Sequence, residues 1–144
     1  MSSLERRLDR LTRLVQRLSD QSNRGTPIIV EGRKDEESLR KLGISGPILC
    51  LKAEGKGFFE FLEGIGSAKR VIVLTDFDTE GKKLAKMLVN ELSKRRIKVD
   101  DSLWRYVRAL IRQDIHAVQE LGSRVEEMQT RVKAAKEKHK QEAA

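Results

Sequence analysis

The stretch Val71-Ile72-Val73-Leu74-Thr75-Asp76-Phe77-Asp78-Thr79-Glu80-Gly81 runs from an unbroken apolar strand, through two aspartates one residue apart, into the start of a helix. A strand with no polar face needs cover on both sides, which a parallel sheet between two helical layers supplies. The following residues, Thr79 to Lys94, set Leu84, Met87, Leu88, Glu91 and Leu92 at helical spacing. The same grammar recurs upstream. Ile28-Ile29-Val30 is a short apolar strand that ends in Glu31-Gly32-Arg33-Lys34-Asp35. A helix is expected from Asp35 to Leu42, closed by Gly43, and a second buried strand over Ile48–Leu51. A short helix over Gly57–Leu62 ends at Gly64 and Gly66, and Ile97–Val99 is a fourth strand. The order β-α-β-α-β-α-β predicts an α/β, three-layer, Rossmann-like fold over residues 26–100. Its sheet is four-stranded and mostly parallel.

Both flanks are helical. In residues 1–25, Leu4, Leu8, Leu11, Val15 and Leu18 form a heptad seam over residues 3–20, widened by Leu14. Ser19 to Gly25 reads as a polar linker. In residues 101–144, Trp104, Ile111, Val118, Val125 and Val132 lie seven apart, with Leu121 and Met128 as companions, while Asp114 interrupts that row beside Ile115. One long helix is expected there. Roughly thirty residues at the α-helical rise would span about 45 Å, too long to lie wholly on such a sheet. Its seam therefore meets the N-terminal helix or another subunit, and a homodimer or protein partner through residues 3–20 and 103–132 is an expectation. The tail Arg131 to Lys140 holds five Lys or Arg and one Glu, and reads as a solvated end or a phosphate-contacting arm.

Composition limits the chemistry. The 144 residues carry 30 Lys plus Arg against 22 Asp plus Glu, a net charge of +8, which permits an anionic partner such as RNA or DNA. By segment the excess is +3 over residues 1–26, +3 over 27–100 and +2 over 101–144, so no single tail holds it. Cys50 is the only cysteine and reads as a buried small hydrophobe on a strand; it excludes an internal disulfide and a thiolate cluster. The histidines, His116 and His139, both fall in the tail, which argues against a histidine zinc site. With neither a secretory h-region nor an apolar run of membrane-spanning length, a soluble cytoplasmic protein without membrane association is expected.

The acidic residues sit where open parallel sheets bind ligands, at the carboxyl ends of strands beside the switch point. If strands one and three are neighbours, in the order 2-1-3-4, Glu31 and Asp76 project into one crevice, and Asp78 lies one step beyond. Clustered carboxylates repel one another unless a cation neutralises them. An oxygen-only set favours Mg2+, with Mn2+ as a substitute, able to polarise a phosphoryl oxygen. Glu31 is also placed to act as a general acid or base. The plainer readings are that Asp78 caps the next helix and that Glu31 pairs with Arg33 or Lys34 on the surface. Arg33, Lys34, Lys56 and Lys82 fall on the same rim and suit a phosphodiester backbone, with Lys52 and Lys83 weaker candidates. Phe58, Phe59 and Phe61 read as a base-stacking surface or, for at least two of them, as core.

Together these residues resemble the Toprim domain, the module shared by topoisomerases and bacterial-type primases. The resemblance rests on the strand ending Glu31-Gly32, with Asp35 following, and on Asp76-Phe77-Asp78 with Gly81. The chain looks most like small stand-alone primase-like Toprim proteins and the ribonuclease that matures small ribosomal RNA. The resemblance implies that Glu31 is the general acid or base and that Asp76 and Asp78 hold magnesium. Topoisomerases of this class cut with a tyrosine from a separate domain. The only tyrosine here, Tyr106, reads as packing, and the length leaves no room for a primase's zinc module. Complete topoisomerase or primase activity is therefore not expected. What remains is magnesium-dependent, nuclease-like phosphoryl transfer on RNA or DNA. The alternative is a non-enzymatic adaptor that binds metal and nucleic acid and assembles with protein or ribonucleoprotein partners through its terminal helices.

Overall fold

A computed structural model describes residues 2–52, 55–110 and 118–143. The expected seam residues Ile111 and Ile115, together with Asp114 and His116, lie outside the described residues.

The sheet is parallel throughout. Strand β1 (Ile28–Val30) pairs with β2 (Ile48–Cys50) on one side and with β3 (Arg70–Val73) on the other, and β3 pairs with β4 (Lys98–Asp100), in the order β2-β1-β3-β4. The central strands are the apolar ones for a physical reason. Ile28, Ile29 and Val30, with Val71, Ile72 and Val73, are buried because helices cover both faces and strands cover both edges. Strand β2 lies at an edge, so Ile48, Leu49 and Cys50 are only half-buried, where full burial was expected. Cys50 is accordingly half-buried rather than buried, and its thiol donates to Glu36 Oε1 at 3.6 Å. Strand β4 begins one residue after its expected start, and Ile97 packs into the core just before it.

Four helices surround the sheet within the alternating region and beside it. Helix α2 is Arg33–Lys41, α3 is Phe58–Glu63, α4 is Thr79–Lys94 and α5 is Ser102–Leu110. Helix α2 starts two residues before its expected start because Asp35 caps from inside: its Oδ2 accepts the Gly32 N–H at 2.9 Å. Helix α4 buries Gly81, Ala85, Leu88 and Leu92. Met87 lies off that stripe and is 46% exposed. Of the three phenylalanines, Phe58 and Phe61 pack against the core and Phe59 is exposed.

The N-terminal helix α1, Ser3–Asn23, continues through most of the expected linker. Its polar end is used rather than solvated. The Ser22 hydroxyl accepts the Gly46 N–H at 2.9 Å, and a side chain at Gly46 would collide with the Ser22 carbonyl. The heptad seam is consumed within the chain: Leu11 and Leu18 are buried, and Leu4, Leu8, Leu14 and Val15 pack against the same core.

The C-terminal region is not one helix. After α5 the described chain resumes in a short 3-10 turn, Val118–Glu120, which leads into α6, Leu121–Ala143. Trp104 Nε1 lies 3.4 Å from the Asp76 carbonyl oxygen, and the Val118 N–H lies 2.9 Å from Asp76 Oδ1. On a continuous helix those fourteen residues would stand about 21 Å apart. Both reach one aspartate, so α5 and the turn at Val118 do not lie along one straight helix. Helices α5 and α6 both pack on α1, and α6 also packs on α2, which explains how a seam of that length is covered. The Tyr106 hydroxyl is buried, in keeping with a packing role.

Candidate metal centre

The site is built by strand ends and loop closure. At the end of β1, Glu31 is buried, with 7% of its surface exposed. Its Oε1 accepts the Asp76 N–H at 3.1 Å, which fixes the β1 end against the β3 end. Its Oε2 meets Lys52 Nζ at 3.3 Å, and Lys52 also meets Glu80 Oε1 at 2.9 Å. Glu31 thus pairs with Lys52, not with Arg33 or Lys34. The loop after β3 is held closed by two bonds: Thr75 Oγ1 donates to the Gly81 carbonyl at 2.8 Å, and the Gly81 N–H donates to Asp78 Oδ1 at 2.7 Å. Asp78 is therefore the N-cap of α4. Gly81 sits so close to the Asp76 backbone that a Cβ there would overlap the Asp76 carbonyl.

Glu31, Asp35 and Asp76 form the acidic core. Burial pushes the carboxyl group of each above its ordinary range. Mutual charge adds to this: Asp76 raises Glu31, Glu31 raises Asp35, and Asp35 and Asp78 raise Asp76. Hydrogen bonds oppose the rise. Asp76 N–H and Lys52 stabilise the Glu31 carboxylate, Val118 N–H stabilises Asp76, and the N–H groups of Gly32 and Gln119 stabilise Asp35. Lys52 is pushed up in turn, chiefly by its bond to Glu80 and then, against a smaller burial effect, by Glu31.

Two of the three expected metal-binding acids, Glu31 and Asp76, thus meet and Asp35 joins them, while Asp78 turns its Oδ1 to the helix and acts on Asp76 through its charge. Among the described residues no three His, Cys, Asp or Glu side chains form a ready-made cage. The donor set nevertheless fits a hard cation. It is all oxygen, and its raised carboxyl groups carry a repulsion that a divalent ion would relieve.

The basic rim divides. Arg33 and Lys56 line one cleft of about 200 Å3 beside β2, with Glu36, Cys50 and Phe61. Lys34 faces the other way, lining a cleft between α2 and α6 with Lys41, Gln119 and Ser123. Lys82 is exposed in the first turn of α4. Sequence reasoning underrated Lys52 and missed the backbone donors of Val118 and Gln119. Lys52 carried a signal, since it follows β2 directly. The backbone donors carried none, because any residue supplies an N–H.

The comparisons with known proteins agree with this geometry. The Toprim domain family model matches residues 26–101. A UPF0292 protein of Methanosarcina barkeri is 33% identical over 132 residues, covering 89% of this chain and 91% of that protein. One from Thermococcus kodakarensis is 39% identical over 94 residues, covering 65% of this chain and 69% of that protein. A solved structure of a protein from Aquifex aeolicus superposes with a TM-score of 0.62 at 26% identity, covering 74% of this chain and 93% of that one. A parallel 2-1-3-4 sheet, with Glu31 at one strand end and Asp76-Phe77-Asp78 at the next, therefore places the chain in the Toprim-domain family, among the UPF0292 proteins.

Proposed function

We propose that the chain is a magnesium-dependent nucleic-acid-processing protein that carries out nuclease-like phosphoryl transfer on RNA or DNA. The observation that carries this reading is the cluster of Glu31 and Asp35, both buried, with the half-buried Asp76, where the ends of β1 and β3 meet the first turn of α2 and where burial and mutual charge raise each carboxyl group. Glu31, Asp76 and Asp78 are the residues that would hold Mg2+, with Mn2+ as a substitute. Once bound, such an ion neutralises charge on a phosphoryl oxygen. The remaining work belongs to the chain. Glu31 keeps its proton to a higher pH than an exposed glutamate, which suits it to donate or accept one, and Lys52 and the Asp76 N–H hold its carboxylate in place. Arg33 and Lys56 on one side of the α2 start, Lys34 on the other and Lys82 beyond it supply cations for the phosphodiester backbone.

Incubation of the purified protein with labelled RNA and DNA, in Mg2+ or Mn2+, tests the reading. Divalent-dependent cleavage that is lost in Glu31→Gln supports it. No cleavage or joining by the wild type, or equal activity in Glu31→Gln, refutes the catalytic claim.

One observation favours a second reading, the non-enzymatic adaptor. Glu31, Asp76 and Asp78 each already accept a hydrogen bond from the protein itself. An adaptor of this kind binds RNA without a divalent ion and tolerates Asp76→Asn, which calorimetric titration separates from the first reading.

A further inference from the structure

The turn Val118–Glu120 is docked on the acidic centre more closely than packing alone requires. The Val118 N–H donates to Asp76 Oδ1 at 2.9 Å and the Gly122 N–H donates to Ser38 Oγ at 3.0 Å, while the backbone of Gln119 helps to hold down the Asp35 carboxyl. Val118 and Leu121 are wholly buried, and Gly122 lies so near α2 that a Cβ there would stand 3.0 Å from the Ser38 carbonyl oxygen. The turn runs straight into the 23-residue helix α6, so these N–H groups are the positive end of its dipole. Where the carboxylates of Asp35 and Asp76 need a counter-charge, the chain offers its own helix terminus.

We infer that the 3-10 turn Val118–Glu120 acts as an internal counter-charge that competes with a divalent cation for Asp76, so that metal uptake loosens the turn and the start of α6 from α2. The inference rests on the metal reading above. A cation beside Asp76 faces the positive end of a helix, an unfavourable juxtaposition. Linkage makes the effect reciprocal: whatever lifts the turn tightens metal binding by the same factor that metal loosens the turn.

The test measures Mn2+ affinity by calorimetry in the wild type and three variants. Val118→Pro removes the N–H while its ring suits the first helical position. Gly122→Val wedges the start of α6 away from Ser38 without touching the centre. Val118→Ala trims the side chain and keeps the N–H. The expected result is about tenfold tighter binding in Val118→Pro and Gly122→Val, the scale of one hydrogen bond to a carboxylate, and no tightening in Val118→Ala. In the wild type, Mg2+ should raise the exchange rates of the Val118 and Gln119 amides. Equal affinity in the wild type and Gly122→Val, with those amides unchanged by Mg2+, overturns the competition and leaves the metal reading standing. No uptake of Mn2+ by any form overturns the metal reading, and the competition with it.

Discussion

Gly81→Ala gives opposite signs for two accounts of the same glycine. Gly81 lies in the first turn of α4. On helix propensity alone, alanine stabilises such a position by about 1 kcal/mol. The tertiary structure requires the reverse. The added methyl would overlap the Asp76 carbonyl, and that atom is backbone, which cannot swing aside. Relief demands that α4 or the loop after β3 shift. That shift strains the bond from Thr75 Oγ1 to the Gly81 carbonyl and the bond from the Gly81 N–H to Asp78. Forcing a methyl into a packed site costs ~1–3 kcal/mol, and each weakened bond costs ~1 kcal/mol. Set against the propensity gain, the net loss is about 3 kcal/mol. Urea unfolding followed by far-UV circular dichroism measures it. With a typical slope of ~2 kcal/mol per molar, the midpoint falls by about 1.5 M. A midpoint unchanged or raised would show that Gly81 is an ordinary helical glycine and would refute the close approach to Asp76.

Further predictions separate structural from chemical roles. Asp78→Ala should lose ~1 kcal/mol of stability as the α4 cap disappears, whereas Asp78→Asn keeps a capping oxygen and stays within about 0.5 kcal/mol of the wild type. Equal losses in the two would dismiss the cap. Burial, with the Glu36 carboxylate beside it, pushes the Cys50 thiol from 9.0 to about 11. At about pH 8 its alkylation by iodoacetamide in the folded protein should be on the order of a hundredfold slower than in urea, and Glu36→Gln should recover part of the rate. A folded rate matching the urea rate would refute that environment. Burial would raise the Asp100 carboxyl. The Ser102 hydroxyl and N–H, the Gln21 side chain and Arg17 outweigh that effect and hold it below its ordinary value. Its unfolded form therefore binds the proton first as pH falls. The stabilisation is full above the unfolded value near 3.8 and fades as pH drops through the lower folded value. The stability gap between the wild type and Asp100→Asn should thus be constant near neutrality and shrink below about pH 4. A gap independent of pH there would remove Asp100 from the clasp between α1 and the β4 end.

The alternating region was legible because its signals are local. A strand covered on both faces must be apolar throughout, so Ile28–Val30 and Val71–Leu74 announce themselves. The residues at their ends must then be the ones that face a ligand. Strand β2 misled for the same reason. Ile48-Leu49-Cys50 has the composition of a central strand but stands at the edge, and composition does not report which neighbours a strand has. Met87 was misplaced because helical spacing gives the width of an apolar stripe and not its centre. That centre is set by Gly81 and Ala85, whose small size lets α4 come close.

The amino-acid sequence by itself determined the α/β alternation, the acidic residues at the strand ends and the family resemblance, since each follows from short-range patterns of polarity and a few spaced residues. Only the tertiary structure decided where the terminal helices go. A seven-residue repeat reads the same whether α5 and α6 are one helix or two, because periodicity does not record the direction in which each part packs. The donor that reaches the acidic centre from just before α6, the N–H of Val118, belongs to the backbone. Every residue but proline carries such a group, so only its position in three dimensions distinguishes it.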